Sequence, residues 1–405
     1  DLRDDVTFSD GTPLTSADVL YTYNLIMNPD INAPALRSYY DNFEAVETDG
    51  PHRVVFRMKR PYFKTLEFTG GLTVLPKHFY EQFTPEEFNE LPGLLVGSGP
   101  YKLRVDPKQW QSGTGKVELV RNDRYWGPRP SFDRLVFREI PDENTELTSF
   151  RNREIDQYGI SPEKYEQLRK DEDLLAQADL YVYEAPNFGY RYLGWNQKRK
   201  GETTPFGDPR VRRAMTLLTN REEMAEQLMA GLASVATGPF HHLGTQANPE
   251  IEPWPYDPDQ ARRELAAAGW QDRDGNGVLE NREGEEFRFK LIYPASSTNY
   301  QQMAFYLKDA YARAGIIMEP DPTEWNTMLQ RIDERDFDAI TLGWTGNVEG
   351  DPKQIFHSDS MKAGGSNYVS YRNEELDALI DEARETLDQG KRLPMWRKAH
   401  RILHE

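Results

Sequence analysis

Gly343-Trp344-Thr345-Gly346-Asn347-Val348-Glu349-Gly350-Asp351-Pro352 follows a short apolar run, Phe337-Asp338-Ala339-Ile340-Thr341-Leu342. The run has the length and composition of a buried strand. Ahead of it, Trp325-Asn326-Thr327-Met328-Leu329-Gln330-Arg331-Ile332 carries apolar residues at helical spacing. A helix, a strand and a glycine-broken loop in succession point to an α/β sheet. Ligands of open α/β sheets sit outside the carboxyl ends of the strands, where such loops gather. A loop there with one Trp and two acids has two readings: a ligand site, or a surface turn whose Trp plugs the core. The rest of the chain has to separate them.

At 405 residues the chain is too long for one ordinary domain, and two or three are expected. It has no cysteine, which excludes disulfides, Cys-ligated zinc and thiol nucleophiles together. The formal net charge is −18. An acidic surface repels phosphate backbones, so nucleic acid is not expected as a partner. No window approaches the roughly 20 apolar residues of a membrane span. The chain opens on Asp1-Leu2-Arg3-Asp4-Asp5 without an initiating Met. It closes in an amphipathic helix, Leu393 to Glu405, with no Gly or Asn cap after it. The expectation is a piece of a longer chain, on whose leader these residues are silent. Aromatics are plentiful (21 Tyr, 19 Phe and 8 Trp) and suit a protein that stacks ligands.

Three segments are expected. Residues 1–95 carry the turn Asp10-Gly11, a helix over Ala17 to Ile26 and a strand over Arg53 to Met58. Residues 96–205 begin at Gly97-Ser98-Gly99-Pro100-Tyr101, a crossover turn that lacks the Lys-Ser/Thr of a phosphate loop. Strands over Lys116–Arg121 and Leu135–Ile140 follow, then two aromatic strands, Tyr181-Val182-Tyr183 and Tyr190 to Asn196. Their alternation puts some rings on one face, to line a groove or to pack a sheet. Residues 206–405 open with a helix capped by Asp208. They continue through helix Asp259–Ala268, strand Phe287–Tyr293, helix Gln301–Ala314 and a strand around Ile316-Ile317-Met318.

Several phrases, in this order, resemble the extracellular solute-binding protein family 5, the oligopeptide-, dipeptide- and nickel-binding receptors of ABC importers. They are Phe8-Ser9-Asp10-Gly11-Thr12-Pro13 with Ala17-Asp18-Val19, Gly97 to Tyr101, Asn122 to Trp126, and Pro205 to Ala214. Tyr256-Asp257, Ala268-Gly269-Trp270 and Gly343-Trp344 complete the set. The resemblance implies an α/β, bilobal periplasmic-binding-protein fold of type II, with mixed sheets flanked by helices. Residues 1–95 would be most of an extra subdomain, 96–205 part of the first lobe and 206–405 the second lobe. It also implies a shorter carboxyl segment, beyond residue 405, returning to the first lobe. The expected function is a non-enzymatic, monomeric receptor, periplasmic or anchored outside the membrane. It would bind peptides in a cleft between the lobes and deliver them to a membrane permease. Oligosaccharides or other solutes, and a secreted calcium-stabilised hydrolase, stand as alternatives.

In the peptide-binding members that the chain resembles, the loop after the Gly-Trp strand carries an Asp that pairs with the ligand's α-amino group. Here Asn347 stands at that position. A neutral hydrogen bond contributes roughly 0.5–1.5 kcal/mol, against about 1.5–3 kcal/mol for a charged one. If Asn347 is the only anchor, a free-amine peptide loses roughly tenfold or more in affinity; the alternatives are that Glu349 or Asp351 supplies the charge, or that the ligand has no amine, as with a sugar. Trp344 lines the pocket in each case.

Asp272-Arg273-Asp274-Gly275-Asn276-Gly277-Val278-Leu279-Glu280-Asn281-Arg282-Glu283 fits D-x-D-x-N-G-x₅-E. The expected calcium ligands are the side chains of Asp272, Asp274, Asn276 and Glu283 and the carbonyl of Val278, with Gly277 making the sharp turn. A strand follows rather than a second EF helix, so such a cation would be structural. The other reading is an Asx- and Gly-rich turn. Of the seven histidines, His400 and His404 share a helix face, but Arg401 stands where a metalloprotease carries its Glu base. There is no G-x-S-x-G elbow.

Overall fold

The computed structural model describes residues 1–111, 113–183, 189–362 and 365–405. Contacts divide the chain into two units, Asp1–Gly159 and Ile160–Glu405. In the first, β1 (Phe43–Thr48) and β2 (Val54–Met58) form an antiparallel hairpin, and β3 (Tyr101–Leu103), β4 (Lys116–Arg121) and β5 (Arg134–Arg138) form an antiparallel meander. The phrase Ala17-Asp18-Val19 has a structural cause. Asp18 is buried in the helix Ser16–Met27, and its carboxylate accepts the backbone N–H groups of Thr15 and Lys77 at 2.9 Å each. One side chain thereby caps its own helix and ties the start of the Lys77–Tyr80 helix to it.

The second unit holds β6 (Tyr190–Trp195), a small hairpin of β7 (Lys198–Arg199) and β8 (Glu202–Thr203), and β9 (Arg288–Pro294), β10 (Ile317–Thr323) and β11 (Ala339–Trp344). Its main sheet runs β10-β9-β11-β6, with β9 parallel to both neighbours and β6 antiparallel to β11. From β9 the chain crosses one way to β10, then back past β9 to β11. Two right-handed crossovers of opposite direction put their helices on opposite faces.

The side chains follow. On one face Phe289, Leu291 and Tyr293 pack with Ala304, Leu307 and Tyr311 of the helix Thr298–Ala312. On the other, Ile292 and Ile340 pack with Met328 and Ile332 of the helix Trp325–Asp333. The period of two along β9 divides these residues between the faces. Each fully buried aliphatic or aromatic side chain contributes roughly 1.5–3 kcal/mol.

Two expectations change. Tyr181-Val182-Tyr183 is no strand, and its residues are 68%, 54% and 73% exposed, since among the described residues no strand pairs with it. The last strand begins at Ala339 rather than Phe337, whose ring drops into the core beside Met328 and Ile332. The contact boundary falls at 159/160, and β6 pairs with β11 inside the second unit.

Gly194 lies opposite Ile340, and a Cβ there would stand 2.8 Å from Ile340 Cγ2 and 3.1 Å from Val369 Cγ1. Gly194→Ala is therefore expected to lower stability by about 1–3 kcal/mol, as overpacking does. An unchanged midpoint in urea unfolding would show that the sheet yields there without cost.

Candidate functional site

The register of β6 on β11 builds the site. Tyr190 lies opposite Trp344 and Tyr192 opposite Leu342, so all four share one face at the carboxyl end of β11. The Tyr192 ring stacks on Trp344 with centroids 6.4 Å apart and planes 5° from parallel. Tyr368 also stacks on Trp344, at 6.0 Å and 22°. Tyr190 tilts against Tyr192 at 6.1 Å. All four rings are half-buried. Burial pushes the phenols of Tyr190 and Tyr192 well above their ordinary range, so both stay neutral.

The wall borders a cavity of about 2420 Å³ within the second unit. The helices Pro209–Leu218 and Arg221–Met229, the first turn of the helix Thr298–Ala312, the segments 231–254 and 366–375 and the end of the helix Gln389–His404 contribute to its lining. Arg191 alternates to the opposite face of β6 from Tyr190 and Tyr192. It is exposed, hydrogen-bonds the Asn299 side chain and stands 5.1 Å from the centre of the Tyr300 ring. Gly343 permits this crowding, since a Cβ there would come within 3.3 Å of the Tyr190 carbonyl and 3.5 Å of the Tyr300 hydroxyl.

Of the four ligand residues expected from sequence, Trp344 lines the cavity and Asn347 is exposed outside its lining. Glu349 and Asp351 have a different role. Glu349 pairs with Arg392 through Oε1–Nε at 2.6 Å and Oε2–Nη2 at 3.0 Å, and accepts the Trp396 indole N–H at 3.1 Å. Asp351, whose side chain is 2% exposed, pairs with Arg384 at 2.8 Å and accepts the Lys353 N–H at 3.0 Å. Between them, the Gly350 N–H donates to Gln246 Oε1 at 2.6 Å, and Gln246 Nε2 donates back to the Gly350 carbonyl at 2.8 Å. Both acids hold the loop to the helices Glu374–Glu385 and Gln389–His404; their charges are already taken up by arginines.

This loop, the strand before it and the ring row sit in a chain whose residues 1–367 match the model of the bacterial extracellular solute-binding proteins, family 5 (middle). The chain belongs to that family. It is 29% identical over 401 residues to the oligopeptide-binding protein AppA of Bacillus subtilis (strain 168), covering 96% of this chain and 70% of that protein. Against the dipeptide-binding protein of Escherichia coli (strain K12) it is 25% identical over 360 residues, covering 87% of this chain and 62% of that one. Among solved structures, B. subtilis AppA in complex with a nonapeptide superposes with a TM-score of 0.84 at 27% identity, covering 98% and 77% of the two chains. NikZ from Campylobacter jejuni in complex with Ni(L-His) has the same fold, with a TM-score of 0.84 at 23% identity. Family 5 is one of solute receptors, and among the described residues no helix is long and apolar enough to cross a membrane.

Sequence reading missed Tyr368 and Arg191 as candidates. The alternation Tyr190-Arg191-Tyr192 carried a signal for Arg191; Tyr368 carried none, because only the fold brings it to Trp344. The histidines of the last helix are packed. His400 is fully buried, accepts the Asn248 N–H at 2.9 Å through Nδ1, and lies 3.2 Å from Thr237 Oγ1 through Nε2. At the acidic loop, the carboxylates that converge belong to Asp272, Asp274 and Glu280; Glu283 is exposed and outside the group.

Burial would raise the Glu349 carboxyl, but the hydrogen bond and charge of Arg392, with Trp396 and Gln389, hold it below its ordinary value. A depressed folded-state value means stability present above the unfolded-state value, roughly 4.3, and lost as pH falls through the folded one. Glu349→Gln leaves Arg392 buried without its counter-charge, and at pH 7 it is expected to cost about 3–5 kcal/mol. Denaturant unfolding across pH checks this: the gap from the unaltered chain should close in acid. A gap independent of pH would mean that the charge is not what holds the loop.

Proposed function

We propose that this chain is an extracytoplasmic receptor that binds a peptide against the Tyr192–Trp344–Tyr368 row and hands it, unaltered, to an ABC-transporter permease. The observation that carries this reading is the ring row itself, at the carboxyl end of a sheet strand and open to a large cavity. Aromatic faces give broad, sequence-tolerant contact area, as a receptor for varied peptides needs. The cavity, at about 2420 Å³, exceeds the roughly 300–1,000 Å³ of sites for small ligands and has room for an extended chain.

The charge of the lining agrees. Six arginines and three glutamates line the cavity of a chain whose net charge is −18, which favours ligand carboxylates. Arg191, beside Tyr300, is one of three exposed arginines in the lining, with Arg372 and Arg397. For the amino end of a peptide the loop after β11 offers the neutral Asn347, with Glu349 and Asp351 held by Arg392 and Arg384. Peptide binding here rests more on stacking and carboxylate recognition than on an acid–amine pair. Relatives named for oligopeptides and dipeptides support the ligand class.

Native mass spectrometry of the purified protein with a peptide mixture tests the reading. One intact peptide per chain is the expected result. Cleaved products, or a carbohydrate as the only bound mass, would overturn it. Trp344→Ala should weaken peptide binding at least tenfold in a calorimetric titration. Asn347→Asp should tighten binding of a free-amine peptide roughly tenfold, the difference between a neutral and a charged hydrogen bond, and leave an N-acetylated one unchanged.

A further inference from the structure

The loop between the helix Pro258–Ala267 and β9 has no part in the receptor site. We infer that Asp272, Asp274 and Glu280 bind a hard divalent cation of the calcium class there. One carboxylate oxygen from each of the three lies within 4.8 Å of the others. Glu280 supplies the independent observation. It is only 6% exposed, Oε2 accepts the Arg273 N–H at 2.9 Å, and Oε1 is buried with no hydrogen-bond partner. An unpartnered buried oxygen on a carboxylate grouped with two others is costly, and a cation with oxygen ligands relieves both the desolvation and the repulsion. Arg273, within the loop, does not neutralise the group: its guanidinium donates to the carbonyls of Asn281 and Gly269.

The backbone explains why the ninth position of the loop closes the site and the twelfth does not. Gln271 and Glu280 exchange both backbone hydrogen bonds, at 3.0 and 2.9 Å, which sets Glu280 beside Asp272. Gly277, at φ +87°, makes the reversal that this pairing needs. After Glu280 the chain turns through Asn281–Glu285 and returns to pair again, carrying Glu283 outward. An EF-hand's exit helix would bring the twelfth residue back; here a strand follows. The loop is also tied to the strands, since the Leu279 N–H donates to the Gly315 carbonyl and the Phe287 N–H to Leu279. A cation at this point pins the acidic loop to the edge of the sheet.

Titration of calcium chloride into the chelator-treated chain, followed by calorimetry and thermal melting, tests the assignment. Binding of one ion with a rise in melting temperature is expected, with magnesium weaker by at least tenfold. Glu280→Gln should raise the calcium Kd at least tenfold, and Glu283→Gln should leave it within twofold. Asp274→Asn, at an exposed position, carries the same expectation as Glu280→Gln if the buried variant fails to fold. No heat and no melting shift in the unaltered chain would overturn the inference. So would loss of binding in Glu283→Gln with binding kept in Glu280→Gln or Asp274→Asn.

Discussion

The antiparallel pairing of Tyr190–Trp195 with Ala339–Trp344 is the contact on which the second unit depends. It joins an edge strand to the last of three parallel strands contributed by two crossovers far along the chain. Because side chains alternate, one register settles two things at once. Leu193 and Trp195 go to the face covered by the helix Thr298–Ala312, and Tyr190 and Tyr192 go to the face that carries Trp344. A slip of one residue would invert both sets, placing Trp195 on the face of Trp344 and the tyrosines under the helix Thr298–Ala312. The hydrophobic pattern of β6 therefore protects the site as well as the core.

The loop that follows β11 shows a different constraint. A glycine-rich segment beside a cavity has many conformations of similar energy, and one has to be selected. Two largely buried ion pairs, Glu349–Arg392 and Asp351–Arg384, with the Gln246–Gly350 clasp between them, do so. Buried pairs of this kind contribute little net stability over an apolar substitute, but breaking one leaves a charge without its partner. Their geometric demands make them suited to holding a loop in one shape. Trp344 is thus held twice, by the stacked rings of Tyr192 and Tyr368 and by the loop fixed after it.

The acidic loop before β9 illustrates how far a local pattern reaches. The spacing from Asp272 to Gly277 names a turn rich in oxygen donors, and those residues do make the expected Asx turns. Which later acid joins them depends on where the chain goes next. Pairing of Gln271 with Glu280 selects Glu280.

From sequence alone, the helix–strand–helix–strand succession of the second unit could be read with its boundaries within a few residues, because apolar periodicity records which faces are buried. The family was legible as well, since its collinear phrases include turns and caps that local chemistry dictates, such as Asp208 accepting the N–H of Arg210. The sequence also singled out Trp344. It could not assign Glu349 and Asp351, because whether an acid meets a ligand or an arginine depends on Arg384 and Arg392, which only folding brings near. Tyr368, Arg191 and Glu280 stayed hidden for the same reason. Their roles come from neighbours distant in the chain or from a backbone pairing, and local periodicity records burial but not which residues meet.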